Sequence, residues 1–307
     1  SLYADKTAPS TEDLQNIDLV LFDIPDVGCR FYTYLWTMTH VMEACAASQK
    51  PFVVLDRPNP IGPELTKAEG PFLDEQNCTS FIGRWNIPLK HSCTLGELAL
   101  YFAAAKISGL TVDVIKVQHY NRTQTAAHDF FFTPTSPAIQ NIETALLYPG
   151  TGLLEGINVN EGRGTEKPFR QCGAPWINAE ELQHTLQHKK IPGLVVAPVS
   201  YTPLSGLYKN ETCYGVELKI ENEKIFMAVK TGIVLLQCLQ QLYPQHISER
   251  LYKTNANPTG KAHLNKLLGI NNAFQLLQTL QPIETDVQQQ WAGKIEPFLL
   301  YERSAAL

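Results

Sequence analysis

Ile17-Asp18-Leu19-Val20-Leu21-Phe22-Asp23-Ile24 is the stretch on which the fold turns. It is a nearly continuous apolar run that ends beside an acid, the pattern of a strand buried on both faces of a parallel sheet. Downstream, Leu35, Met38, Met42 and Cys45 recur at helical spacing and predict a helix ending near Ser48. Pro51 then opens a second apolar run, Phe52 to Leu55, again closed by an acid, Asp56. Strand, helix and strand make a βαβ unit with the usual right-handed crossover.

Thr94-Leu95-Gly96-Glu97 is a capping box, and Leu98, Phe102 and Ala105 supply the apolar face of the helix behind it. Glu97 is therefore read as a cap and not as a catalyst. Leu110 to Val117 alternates as a third strand. Three strands make a poor doubly wound sheet, because an open edge leaves backbone amides and carbonyls unpaired. Further strands preceding Ser1 are therefore expected.

A Pro/Thr/Ser-rich passage after Pro134, followed by Tyr148-Pro149-Gly150-Thr151-Gly152, marks a change of texture and places a domain boundary near residue 145. Beyond it, Asn178 caps a helix over Glu181 to Leu186. Leu194 to Val199 and Cys213 to Ile220 read as strands, and Ala228 to Tyr243 as a strongly apolar helix. Lys261 to Leu280 and Trp291 to Tyr301 read as helices closing the second domain.

The chain has 307 residues, is 44% hydrophobic and carries a formal charge of -5, without a basic cluster able to track a phosphate backbone. Nucleic acid is thus not an expected partner. The apolar runs, such as Ile233 to Leu236, are too short for a bilayer, and Ser1 to Asp5 has neither the basic stretch nor the apolar core of an export signal. Seven cysteines form no C-x-x-C pair and read as buried thiols.

Ligands of open parallel sheets sit beyond the carboxyl ends of the strands. There the sequence gathers Asp23, Asp26, Arg30 and Tyr32 after the first strand, and Asp56, Arg57 and Asn59 after the second. Each taken alone is as well explained by turn capping or pairing. As a set on one rim they favour a site. A third constellation, Leu154-Glu155-Gly156-Ile157-Asn158-Val159-Asn160-Glu161-Gly162-Arg163-Gly164-Thr165, interleaves two acids with glycines and an arginine. Tight turns and a Glu161–Arg163 pair are its bland explanation, and a ligand loop in a cleft between domains is the favoured one. The dinucleotide, phosphate-loop and H-E-x-x-H fingerprints are absent, and His40, His91, His119 and His128 show no ligand spacing, so no metal or cofactor is expected.

The segments F-D-I-P-D-V-G-C-R-F-Y-T-Y, V-V-L-D-R-P-N-P-I-G and L-L-E-G-I-N-V-N-E-G-R-G-T, with Gly173-Ala174-Pro175-Trp176, resemble the NamZ-type exo-β-N-acetylmuramidases from Ser1 to about Tyr301. The resemblance implies an α/β chain: a Rossmann-like domain over residues 1–145, incomplete at its N-terminus, then a smaller α+β domain over 146–307, with the site in the cleft between them. It also implies hydrolysis of terminal β-linked N-acetylmuramic acid from the non-reducing end of peptidoglycan fragments, in an extracytoplasmic bacterial setting and without a cofactor.

That chemistry takes two carboxylates at the scissile bond, for which Asp26, Glu155 and Glu161 are the candidates. Arg30 and Arg163 are the cations available for the lactyl carboxylate, and Tyr32, Asp56, Asn59 and Asn158 complete the sugar-holding set. The family's Pro-Glu-His-Gly motif, whose glutamate is a catalytic candidate, does not occur here, so a protein made of these residues alone is expected to be inactive on a chromogenic muramide. A non-catalytic muropeptide binder on the same fold is the alternative. A nucleotide-sugar or NAD-dependent enzyme is a third reading, weakened by the missing glycine fingerprint.

Overall fold

The computed structural model describes residues 6–122, 132–254 and 257–302; Ser1 to Asp5 and His128 lie outside these. The chain forms two compact units. One comprises Ser1–Ala68, His91–Thr133 and Gln288–Leu307, and the other Glu69–Lys90 and Pro134–Val287.

In the first unit the βαβ reading holds. Strand Val20–Phe22 pairs in parallel with Phe52–Leu55, Val20 opposite Phe52, and that strand pairs in parallel with Val112–Ile115, Phe52 opposite Val112. Helix Tyr34–Ala47 makes the crossover and buries Leu35, Trp36, Met38 and Met42 completely. One expectation fails. The run from Ile17 is not buried on both faces: Phe22, Phe52 and Val54 face the core, whereas Leu21 and Ile115 are each 59% exposed. The described strands are covered on one side only, which in an apolar run no periodicity announces.

Helix Leu95–Ala105 starts on the expected capping box, with Thr94 Oγ1 accepting from the Glu97 amide at 3.2 Å and Glu97 Oε2 accepting from the Thr94 amide at 2.9 Å. Glu97 also holds the buried Arg122 guanidinium, so its carboxylate is fully committed to structure. Helix Gln288–Ile295, expected to close the second domain, belongs to this unit instead. Its Trp291 is fully buried and donates its indole N–H to the His91 carbonyl at 2.8 Å.

The second unit is built on an antiparallel sheet ordered Gln171–Ala174, Cys213–Ile220, Leu194–Tyr201, plus a hairpin of Glu69–Phe72 with Pro88–Lys90 that the sequence reading missed. Asn178 caps helix Ala179–His188 as expected, its Oδ1 accepting from the Glu181 amide at 3.1 Å.

The passage expected to carry the boundary is helix Ile142–Thr151 with Pro149 inside it. This helix crosses Ala228–Leu242 at two glycines: a Cβ on Gly150 would come within 2.1 Å of the Ala228 carbonyl oxygen, and one on Gly232 within 2.3 Å of the Gly150 oxygen. Helix propensity is low at such positions, and tertiary packing overrides it. All seven cysteines are buried and unpaired with one another. Among the described residues no helix is long and apolar enough to cross a membrane.

Candidate functional site

In the second unit, the close crossing at Gly150 and Gly232 delivers the chain into the short 3-10 turn Gly152–Gly156, which carries Glu155. The loop that follows is drawn in tightly by Asn160, whose backbone bridges Gly173 and whose Oδ1 accepts from the Gly162 amide at 2.8 Å and the Tyr201 hydroxyl at 3.0 Å. Gly162 and Gly164 have φ of 79° and 83°, and a Cβ on either would meet a carbonyl oxygen at 2.5 or 2.4 Å. The glycines therefore fix the loop in a form other residues would strain.

The result brings Glu155, Glu161 and Arg163 together, as expected. Arg163 donates to Glu155 Oε1 from Nε at 3.0 Å, its Nη2 lies 2.8 Å from the same oxygen, and its Nε lies 3.3 Å from Glu161 Oε1. Two carboxylates thus share one guanidinium, which rests over the Phe169 ring. Three further members carried no local sequence signal. Arg250 donates to Glu161 Oε2 at 3.0 Å, Tyr252 donates its hydroxyl to Glu155 Oε1 at 3.3 Å, and His263 stacks on Tyr252 at 4.5 Å. Arg250 and Tyr252 lie about ninety residues from the acids they serve, in a segment that reads as an ordinary polar loop, and only tertiary structure joins them.

The electrostatics of the two acids differ. Glu155 accepts two hydrogen bonds on one oxygen, from Arg163 Nε and from the Tyr252 hydroxyl. Glu161 is 1% exposed, and burial, seconded by the nearby Glu155 charge, holds its carboxyl above the usual range although Arg250 and Arg163 pull the other way. Burial likewise pushes the Tyr252 hydroxyl up to about 12 and the His263 imidazole down to about 4. The Arg163 side chain retains 38% exposure, the most of any charged group in the cluster. Asn158, a candidate ligand, spends its carboxamide on the His246 carbonyl and the Ser248 amide, at 2.8 Å each, and so ties two loops together.

In the first unit, a small hollow lies at the carboxyl ends of the strands. Asp26, Arg57, Asn59 and Thr94 contribute to its wall, while Arg30, Tyr32 and Asp56 are not among its lining residues. Arg30 is fully buried and Tyr32 nearly so. Asp56 accepts from the Gly96 amide at 2.8 Å and the Tyr301 hydroxyl at 2.7 Å, and burial raises its carboxyl. Asn59 donates to the Cys93 carbonyl at 2.9 Å and accepts from the Ile61 amide. Arg57 pairs with Asp23. Asp26 Oδ2 accepts from the Gly28 amide at 2.7 Å, and Oδ1 is buried and has no hydrogen-bond partner among the described residues.

Two family descriptions cover nearly the whole chain: the N-terminal part of exo-β-N-acetylmuramidase NamZ matches residues 1–143 and the C-terminal part residues 146–305. A peptidoglycan β-N-acetylmuramidase NamZ of Bacillus subtilis (strain 168) is 42% identical over 250 residues, 80% of this chain; the chain spans 59% of that relative's length. Two crystal structures of DUF1343 family proteins from Bacteroides fragilis NCTC 9343 are similar throughout. One has a TM-score of 0.87 at 28% identity, covering 98% of this chain and 79% of that one. The other has a TM-score of 0.71 at 26% identity, covering 96% and 78%. With both halves of the family pattern matched in order, the chain belongs to the NamZ exo-β-N-acetylmuramidase family.

Proposed function

We propose that the protein is a glycoside hydrolase that releases terminal β-linked N-acetylmuramic acid from the non-reducing end of peptidoglycan fragments. Within the family frame, one observation carries the reading: Glu155 and Glu161 share the Arg163 guanidinium yet sit in unequal surroundings. Glycoside hydrolysis divides its labour between a carboxyl that gives a proton and a carboxylate that stays charged.

Glu161, raised by burial, is the group that keeps its proton longer and serves as acid. Glu155, held by Arg163 and Tyr252, is the charged partner that stabilises an oxocarbenium-like transition state. Arg163, the most exposed cation of the cluster, is the natural seat for the lactyl carboxylate, a planar anion suited to a guanidinium fork. Because peptidoglycan lies outside the cytoplasmic membrane, we place the protein there.

The test is chromophore release from a chromogenic β-N-acetylmuramide by the intact protein. Glu155→Gln and Glu161→Gln should each lower kcat about 100-fold or more, with KM within a few-fold. Full turnover in both variants would overturn the assignment. Tight muropeptide binding by the unaltered protein without any release would favour a binder on the same fold.

A further inference from the structure

We propose that His184 and His188, one turn apart on helix Ala179–His188, form a surface site for a late first-row divalent cation, copper(II) above the others. Residues four apart share a helix face. Both are exposed, and their rings meet with centroids 4.2 Å apart at 60°. The histidines weighed from the sequence were His40, His91, His119 and His128, and this pair was not among them.

His188 is already set in the tautomer that a metal requires. Its Nδ1 stands 2.7 Å from the His184 carbonyl oxygen, which can only accept. The Nδ1 proton is therefore given to that oxygen, and the neutral ring keeps its lone pair on Nε2. A ring held by a backbone carbonyl through one nitrogen, with the other open, is the arrangement that metal-binding imidazoles use. Small rotations of two exposed rings bring both to metal–nitrogen distances of about 2.0–2.1 Å.

Among the described residues no third histidine, cysteine or carboxylate completes a group of three with them, so water fills the remaining positions. Two imidazoles suit copper(II), nickel(II) and zinc(II), with copper(II) bound most tightly, whereas magnesium and calcium need oxygen ligands. The pair spans the last turn of the helix, where the backbone carbonyls present partial negative charge to a cation. Lys189 and Lys190 follow, and because both are exposed their repulsion is screened by salt.

The test is titration of copper(II) into the intact, untagged protein, followed by calorimetry and electron paramagnetic resonance. One site per chain with hyperfine structure from two imidazole nitrogens is expected. His184→Ala and His188→Ala should each weaken it at least about 10-fold. His119→Ala, which removes another exposed histidine, should leave it unchanged. Melting of the metal-free variants shows that all three are folded. Native affinity in either the His184 or the His188 variant would overturn the proposal. So would binding by the native protein no tighter than that of a single imidazole, or a loss confined to the His119 variant.

Discussion

Glu161 sits where burial and two arginines pull in opposite directions, and at His263, stacked on Tyr252, burial likewise outweighs the Glu155 charge. Burial holds the His263 imidazole at about 4 against an ordinary 6.5. The folded ring therefore stays neutral while the unfolded chain takes up a proton first, so stability is lost as pH falls from about 6.5 towards 4. The full effect is on the order of 3 kcal/mol. His263→Phe keeps the stack on Tyr252, and among the described residues neither ring nitrogen has a hydrogen bond to lose. Urea melts between pH 7 and 4 should show the variant losing less stability than the native protein, and parallel profiles would refute the assignment.

At this scale the sequence told part of the site. Glu155, Glu161 and Arg163 stand within nine residues of one another among glycines, so their meeting was legible. Arg250, Tyr252 and His263 were not, because no local pattern links a residue to a partner reached only through folding. The same reason explains why Asp56, Asn59 and Asn158 read as ligands. Their residue types suit a site, and only coordinates reveal that Tyr301, Cys93, His246 and Ser248 already occupy them.

Elements were most legible where periodicity or a cap spoke. Strand Cys213–Ile220 and the helix begun by Thr94 both fall where alternation and a capping box put them. Helix Ile142–Thr151 escaped because Pro149 and Gly150 are breakers by composition, and its place is set by the crossing with Ala228–Leu242. Gly232→Ala should therefore cost about 1–3 kcal/mol in urea unfolding, since the added methyl meets backbone that cannot rotate away. A change within a few tenths would show that the helices part freely. At the cap, Asn178→Ala should cost about 1 kcal/mol, and an unaffected melting curve would mean that the Oδ1 bond to Glu181 is idle.

For the whole molecule, burial of all seven thiols predicts that the native protein is inert to a colorimetric thiol reagent, whereas the denatured chain reacts at seven sites. Prompt reaction of even one thiol in the native state would contradict the packing. The α/β class was legible from the first fifty-six residues. The one-sided cover of the described strands was not, because an apolar run looks alike whether one face or both is packed.

The two compact units alternate along the chain, and that has a consequence during synthesis. Trp291 fills the first unit and bonds His91, yet it is translated after everything in the second unit. At roughly 5–20 residues per second, the ribosome leaves the first unit unfinished for some ten seconds or more while the second is being made. Nascent chains stalled with Val287 just outside the exit tunnel should therefore resist protease over the second unit and remain cleavable in the first.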